Sequence, residues 1–336
     1  MTTQYQAAMR RALEIALLGP ATGVNPQVGA VILDAAGNII AEGWHKGSGT
    51  PHAEVAALAK LTSVPAGATA VVTLEPCNHT GRTGPCAQAL IAAGIAHVVY
   101  AVADPGRESA GGAETLRHAG VEVVAGVERE AAETQLKVWL TAMRQQRPFV
   151  TLKWASTLDG RAAANDGTSQ WISGPESRAH AHKFRSQVDA ILVGTSTVIA
   201  DNPTLTARKP DGSLYQHQPL RVALGTSGLP ADSKLFDTTS PSLHLKTRDL
   251  NQALAELWQK GVRHLLVEGG PTVASQFIQA GLVNQYLIYM APMLLGGSRT
   301  ALQDIGVDSM PQAVKLRFTK TESLGPDLLI TAESES

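Results

Sequence analysis

Apolar residues in this chain fall into two kinds of run. Residues 28–33, 68–74 and 96–103 are short and nearly continuous, the pattern of strands covered on both faces of a sheet. Between them, residues 52–61 are rich in Ala and Leu, and residues 86–93 open behind Pro85 and close at Gly94. Both read as helices, Pro before the start and Gly past the end being the expected asymmetry. Residues 5–18 place apolar side chains at helical spacing, with Arg10, Arg11 and Glu14 among them, and stop at Gly19-Pro20. They read as a first helix: a secretion leader would have an uncharged core and a small-residue cleavage pattern. Strands alternating with helices predict a layered α/β sandwich for the first half.

The pattern breaks over residues 141–148, where Arg144, Gln145, Gln146, Arg147 and Pro148 interrupt it, and a new strand begins at Phe149. At 336 residues the chain exceeds what one core usually supports, so the reading is two domains, 1–146 and 147–336. In the second, residues 189–194 read as a strand leading into Thr195-Ser196-Thr197. Residues 263–268 read as a buried strand, Gly269-Gly270 as a tight turn and residues 271–280 as a helix. Free N–H groups at such a helix start attract phosphate; the bland alternative is that Gly-Gly merely turns the chain. No G-x-G-x-x-G is present, so a Rossmann domain is not supported. Residues 285–292 set Tyr286, Ile288 and Met290 against Leu287, Tyr289 and Ala291, apolar on both faces. Burial against a second copy would account for this, which suggests a homodimer through the second domain.

Composition narrows the partners. Formal net charge is −1 and no stretch concentrates Lys and Arg, which argues against nucleic acid. Aromatics at 4% offer no stacking platform for single strands. No run approaches the roughly eighteen apolar residues of a membrane span. Two cysteines without a secretion signal suggest a reducing, cytoplasmic location and no disulfide framework.

Those two cysteines carry the chemistry. His52-Ala53-Glu54 precedes Pro76-Cys77 and then Cys86: one imidazole and two thiolates to hold zinc, and a carboxylate to move protons. His52 and Cys86 stand at helix starts, where the positive ends of the helices favour thiolate. Residues two apart on a regular helix diverge by about 200°, so His52 and Glu54 converge only over a first turn. Three protein ligands leave a place for water, whose pKa zinc lowers to about 7. A structural zinc site would recruit a fourth ligand such as His79, and two unrelated buried thiols are the other alternative. A noncatalytic zinc-bearing nucleotide-binding module, and a deaminase acting on another nucleobase or on nucleic acid, are the competing functions. Eight residues separate the cysteines, where the general deaminase signature has two; Asn78-His79-Thr80-Gly81-Arg82-Thr83-Gly84-Pro85 forms an inserted loop.

Asn25-Pro26-Gln27-Val28-Gly29, His52-Ala53-Glu54 and the unbroken stretch from Thr73 to Cys86 together closely resemble the bifunctional deaminase-reductase family of riboflavin biosynthesis. The resemblance continues in Lys153, Leu158-Asp159-Gly160-Arg161, Ser169-Gln170-Trp171-Ile172, Asp201-Asn202-Pro203-Thr204-Leu205-Thr206 and Val267-Glu268-Gly269-Gly270-Pro271, nearly the whole chain. It implies an N-terminal cytidine-deaminase-like α/β/α sandwich and a C-terminal dihydrofolate-reductase-like α/β domain. The first would deaminate a phosphoribosylaminopyrimidine with Zn2+, and the second would reduce ribosyl to ribityl with NADPH. The metal ligands would be His52, Cys77 and Cys86, with Glu54 catalytic. Ala155, Trp171, Thr197, Asp201 and the segment Gly270, Pro271, Thr272, Val273, Ala274, Ser275 and Gln276 would contact the dinucleotide. Asn25, Ser169, Arg185, Leu205, Arg208 and Glu268 would face substrate, the arginines suiting a phosphate. Lys153, Asp201 and Glu268 would handle protons around the ribosyl carbon; Lys153 with Glu268 could equally be a structural pair, and Asp201 a turn cap. The chain departs from the family pattern at three places: Asp104-Pro105-Gly106-Arg107 stands for Asp-Pro-Asn-Pro, Thr157 for Ser, and Gly225 for Asp. The last puts a cofactor role for Thr226 in doubt.

Overall fold

The computed structural model describes residues 2–80 and 84–335, without the side chains of Thr2 and Thr3. Gly81-Arg82-Thr83 of the inserted loop lie outside the described residues. The chain divides into two units, Met1–Gln146 and Arg147–Ser336. No helix among the described residues is long and apolar enough to cross a membrane.

In the first unit α1 (Gln6–Ala16) precedes β1 (Gly29–Leu33), β2 (Ile39–Trp44), α2 (Ala53–Leu58), β3 (Thr69–Leu74), α3 (Cys86–Ala92), β4 (His97–Val102), α4 (Gly112–His118) and β5 (Glu122–Ala125). Helices α5 (Arg129–Gln135) and α6 (Lys137–Gln145) close it. The sheet order is β2-β1-β3-β4-β5, with β1 antiparallel to both neighbours and β3, β4 and β5 parallel. The three continuous apolar runs are the inner strands, while β2 and β5, at the edges, carry exposed and partly buried positions.

Alternation along the inner strands builds one core on each face. Val31, Val71 and Val99 pack with Met9, Leu13 and Leu140, whereas Ile32, Val72 and Val98 pack with Ala57, Leu90 and Leu116. Each fully buried aliphatic side chain contributes about 1.5–3 kcal/mol. Gly43 brings α2 close to the sheet: a Cβ there would lie 2.3 Å from the Ala53 carbonyl oxygen.

The second unit begins with β6 (Phe149–Thr157), α7 (Pro175–Arg185), β7 (Ala190–Gly194), α8 (Thr195–Asp201), β8 (Leu220–Leu224) and β9 (Ser242–Leu245). It continues through α9 (Leu250–Gln259), β10 (His264–Val267), α10 (Pro271–Gln279), β11 (Gln285–Ala291), β12 (Leu316–Leu324) and β13 (Asp327–Ser334). The sheet order is β12-β13-β11-β6-β10-β7-β8-β9. The six strands from β11 to β9 are parallel, and β13 and β12 add antiparallel at one side. Leu254, Leu257 and Phe277 cover one face over Val150, Leu152 and Leu265. Phe184, Val198 and Leu235 cover the other over Ile191, Val193 and Leu266.

Strand β11 corrects one sequence argument. It lies inside the sheet between β6 and β13, with Tyr286, Leu287, Tyr289 and Ala291 buried within the chain itself. A strand covered on both faces is apolar on both faces, so its composition no longer argues for a second copy.

Candidate active sites

Three elements bring the metal donors together. His52 caps α2 in an extended conformation, φ −67° and ψ 163°, so the helical divergence from Glu54 does not apply. Cys77 follows β3, and Cys86 opens α3 behind Pro85. His52 Nδ1 lies 3.5 Å from Cys77 Sγ and 3.3 Å from Cys86 Sγ, and the three donor atoms fall within 4.8 Å of one another. A tetrahedral zinc with bonds of about 2.1 Å to nitrogen and 2.3 Å to sulfur sets N–S separations of about 3.6 Å. The donor set fits that ion in both chemistry and spacing. The Cys86 N–H points at Cys77 Sγ at 3.4 Å.

A hydrogen bond from Cys86 holds the Cys77 thiol below its ordinary range, and that same bond together with burial pushes Cys86 up. Glu54 is buried, which raises its carboxyl, and it shares a hydrogen bond with the Cys86 thiol. His79 is not among the clustered donors; its Nδ1 is buried and, among the described residues, without a partner. Three protein donors therefore face one another, as a catalytic rather than a closed structural site has them.

Neighbours absent from the sequence reading complete this site. His45 is buried; Asn25 Nδ2 lies 2.9 Å from its Nε2, and the Pro51 carbonyl lies 3.2 Å from its Nδ1. With Nδ1 donating to that carbonyl, Nε2 accepts from the Asn25 amide. The ring stands edge-on to His52 at 5.4 Å, so Asn25 is held beside the metal ligand. Glu75 accepts from the N–H groups of Asp104 and Ala113 at 3.2 and 3.0 Å, which fixes the segment carrying Gly106 and Arg107. Gly106 has a local reason: a Cβ there would lie 2.1 Å from Ser109 Oγ. The signal for His45 was a histidine at the end of β2, seven residues before the motif.

In the second unit the C-terminal ends of parallel strands converge, the usual place for ligands in open α/β sheets. A Cβ on Gly194, before α8, would lie 2.9 Å from Val273 Cγ2, and one on Gly270, before α10, 3.5 Å from Thr197 Oγ1. Two helix starts carrying cofactor candidates thus lie side by side. Ala155 is on β6, next to β10. Trp171 is exposed, with the Arg178 guanidinium over its ring at 4.7 Å.

Lys153, Glu268 and Arg185 form one charged cluster. Glu268, just past β10, takes two hydrogen bonds from Arg185 at 2.7 and 2.9 Å and one from Lys153 at 3.4 Å. Burial alone would raise its carboxyl; Arg185 and Lys153 outweigh that and hold it well below the ordinary range. The amine on an apolar strand is thereby paired, as burial demands. Arg185 commits a further donor to the Thr206 carbonyl at 3.2 Å, so only part of its fork is free for a phosphate. Asp201 ends α8 in an exposed position, and among the described residues no hydrogen bond ties it to Lys153 or Glu268. Arg208 is exposed; Leu205 is buried, in a left-handed conformation with φ 53°.

Arg221 was also missed. It is fully buried on β8, bonds the Thr204 and Lys234 carbonyls and Asp237 at 3.3, 3.2 and 2.8 Å, and also bonds the Ser240 carbonyl. A lone charge inside the run Leu220-Arg221-Val222-Ala223-Leu224 was the available signal. At Gly225, φ is 136° and a Cβ would meet Thr195 Oγ1 at 2.6 Å. This chain therefore needs glycine at position 225.

Fold and site define a zinc-dependent deaminase and a nucleotide-dependent reductase in one chain. The family model described as cytidine and deoxycytidylate deaminase zinc-binding region matches residues 2–102, and that of the RibD C-terminal domain matches residues 148–330. The riboflavin biosynthesis protein RibD of Mycobacterium tuberculosis is 46% identical over 307 residues, 91% of this chain and 90% of that protein. That of Escherichia coli K12 is 37% identical over 362 residues, 97% of this chain and 98% of that one. The solved structure of Acinetobacter baumannii RibD, form 1, matches with a TM-score of 0.91 at 35% identity, covering all of both chains. The Thermotoga maritima deaminase/reductase matches with a TM-score of 0.87 at 32% identity, covering 99% of each chain. The chain belongs to the RibD family, the bifunctional deaminase and reductase of riboflavin biosynthesis, which uses Zn2+ and NADPH.

Proposed function

We propose that residues 1–146 deaminate the phosphoribosylaminopyrimidine and residues 147–336 reduce the ribosyl group of the product, with the roles divided as follows. His52, Cys77 and Cys86 hold the zinc, which when bound supplies an acidified water. Glu54, buried beside Cys86, moves a proton to the pyrimidine ring nitrogen and to the departing amine. Asn25, oriented by His45, reads the substrate. The observation that carries this reading is the convergence of one imidazole and two thiols to tetrahedral spacing with a buried carboxylate beside them.

In the second unit NADPH supplies the hydride. Lys153, held by Glu268, donates a proton to the ribosyl ring oxygen as the ring opens. Ala155, Trp171, Thr197, Asp201 and the Gly270, Pro271, Thr272, Val273, Ala274, Ser275 and Gln276 segment hold the dinucleotide. Ser169, Arg185, Leu205, Arg208 and Glu268 hold the substrate. A cytoplasmic location agrees with two free, metal-disposed thiols, which a reducing compartment preserves. A homodimer through the second unit is supported by β12, an edge strand with Phe318 exposed; a monomer by light scattering at high concentration would overturn it.

Glu54→Gln tests the central assignment. Ammonia release should fall by about 10²–10⁴-fold, the range for a lost general acid–base. Zinc content, and NADPH oxidation with the deaminated substrate, should persist; retained ammonia release would refute the role.

A further inference from the structure

The carbonyl of Thr206 lies under two side chains of α7. Arg185 Nη1 donates to it at 3.2 Å, and His182 Nδ1 stands 3.1 Å from it. That same ring nitrogen is 3.3 Å from the backbone nitrogen of Arg208, placed to accept its N–H. One nitrogen does not serve both. Without a proton it accepts from Arg208; with one it donates to Thr206. The protonation state of His182 therefore decides whether the Arg208 N–H is engaged or free.

The charges facing this imidazole come from three places. Arg185 lies one turn along α7, Arg208 lies on the segment after α8, and Glu268 lies past β10. Glu268 is already gripped by Arg185 through two hydrogen bonds. Burial, and then the two guanidinium groups, keep the ring neutral, pulling its pKa down to about 4. A dianion set between the two guanidinium groups would cancel their repulsion of a proton on the ring.

We infer that His182 is a further phosphate-binding residue of the reductase site: when a tetrahedral dianion binds, it takes a proton from solvent, turns Nδ1–H onto the Thr206 carbonyl and releases the Arg208 N–H to the anion. No bond to carbon changes, and the only species exchanged is the solvent proton. The inference rests on the reading of Arg185 and Arg208 as contacts to the substrate phosphate, and adds to it a proton linkage that pair alone does not supply.

Sulfate separates the two claims, because it does not titrate near neutrality and any proton taken up belongs to the protein. Titration calorimetry of the full chain at about pH 6, in two buffers of different ionisation enthalpy, should show uptake of more than about half a proton per sulfate bound. In His182→Gln, uptake should vanish while sulfate still binds. Binding without uptake in the wild type, or with equal uptake in His182→Gln, overturns the role of His182 and leaves the arginine site standing. No sulfate binding to the wild type overturns the arginine reading and this inference with it.

Discussion

In the first unit three candidate metal donors, an imidazole and two thiols, face one another; in the second, opposite charges meet. His52, Cys77 and Cys86 bring three candidate metal donors to one point, whereas Lys153 and Arg185 already pair with Glu268. In the proposed roles the first arrangement would be completed by zinc, and its chemistry would follow the metal. In the second the buried carboxylate has its counter-charges before any ligand arrives, so its geometry is held by the protein. The units thus differ in what removal of a single residue leaves behind: a vacated ligand position in one, an uncompensated buried charge in the other.

The sharpest break of that contrast is Cys86→Ala. Zinc content should fall and ammonia release be lost, since the acidity of bound water depends on the ion. NADPH oxidation with the deaminated substrate should be untouched; parallel loss of both activities would show that the two sites are not independent. Glu268→Gln probes the other side. It strands Arg185 and Lys153 without their counter-charge, a loss of about 3–5 kcal/mol for a broken buried pair, read as a lower urea midpoint for unfolding of the second unit followed by circular dichroism. Ammonia release should keep its midpoint, and Arg185→Gln added to Glu268→Gln should recover part of the loss. Full additivity of the two changes would deny that the pair is coupled.

A smaller effect comes from His264, buried between Phe149 and Phe184 with Nε2 at 2.9 Å from Thr151 Oγ1. Burial draws its pKa down to about 4. Below the ordinary histidine value of about 6.5, the unfolded chain binds a proton that the folded one refuses, so stability present above that pH is lost as pH falls toward 4. The loss amounts to about 3 kcal/mol over that window. His264→Gln should flatten the dependence of the second unit's urea midpoint between pH 7 and 5; an unchanged slope would assign it to other groups.

Much of the first site was legible because its parts are local. His52 and Glu54 are two residues apart, Cys77 and Cys86 are the chain's only thiols, and each sits at an element boundary marked by Pro or by a change of period. The extended cap at His52 was not legible: backbone dihedrals at a helix start depend on what packs there, here α2 against Gly43. In the second unit the strand–turn–helix around Gly269-Gly270 was readable for the same local reason. His182, Arg221 and the tie between Arg185 and Glu268 were not, because their partners lie 13 to 83 residues away. Strand β11 shows the opposite failure, its two apolar faces being visible while the neighbours covering them were not.

The amino-acid order alone determined which runs would be buried and which residue types could grip zinc, since periodicity and donor chemistry are properties of short segments. Only the tertiary structure decided that Lys153 and Arg185 share Glu268, that Asp201 stays outside that cluster and that β11 is interior. Those outcomes depend on strands and helices far apart in the chain meeting across a sheet, and no local pattern encodes which of them will be neighbours.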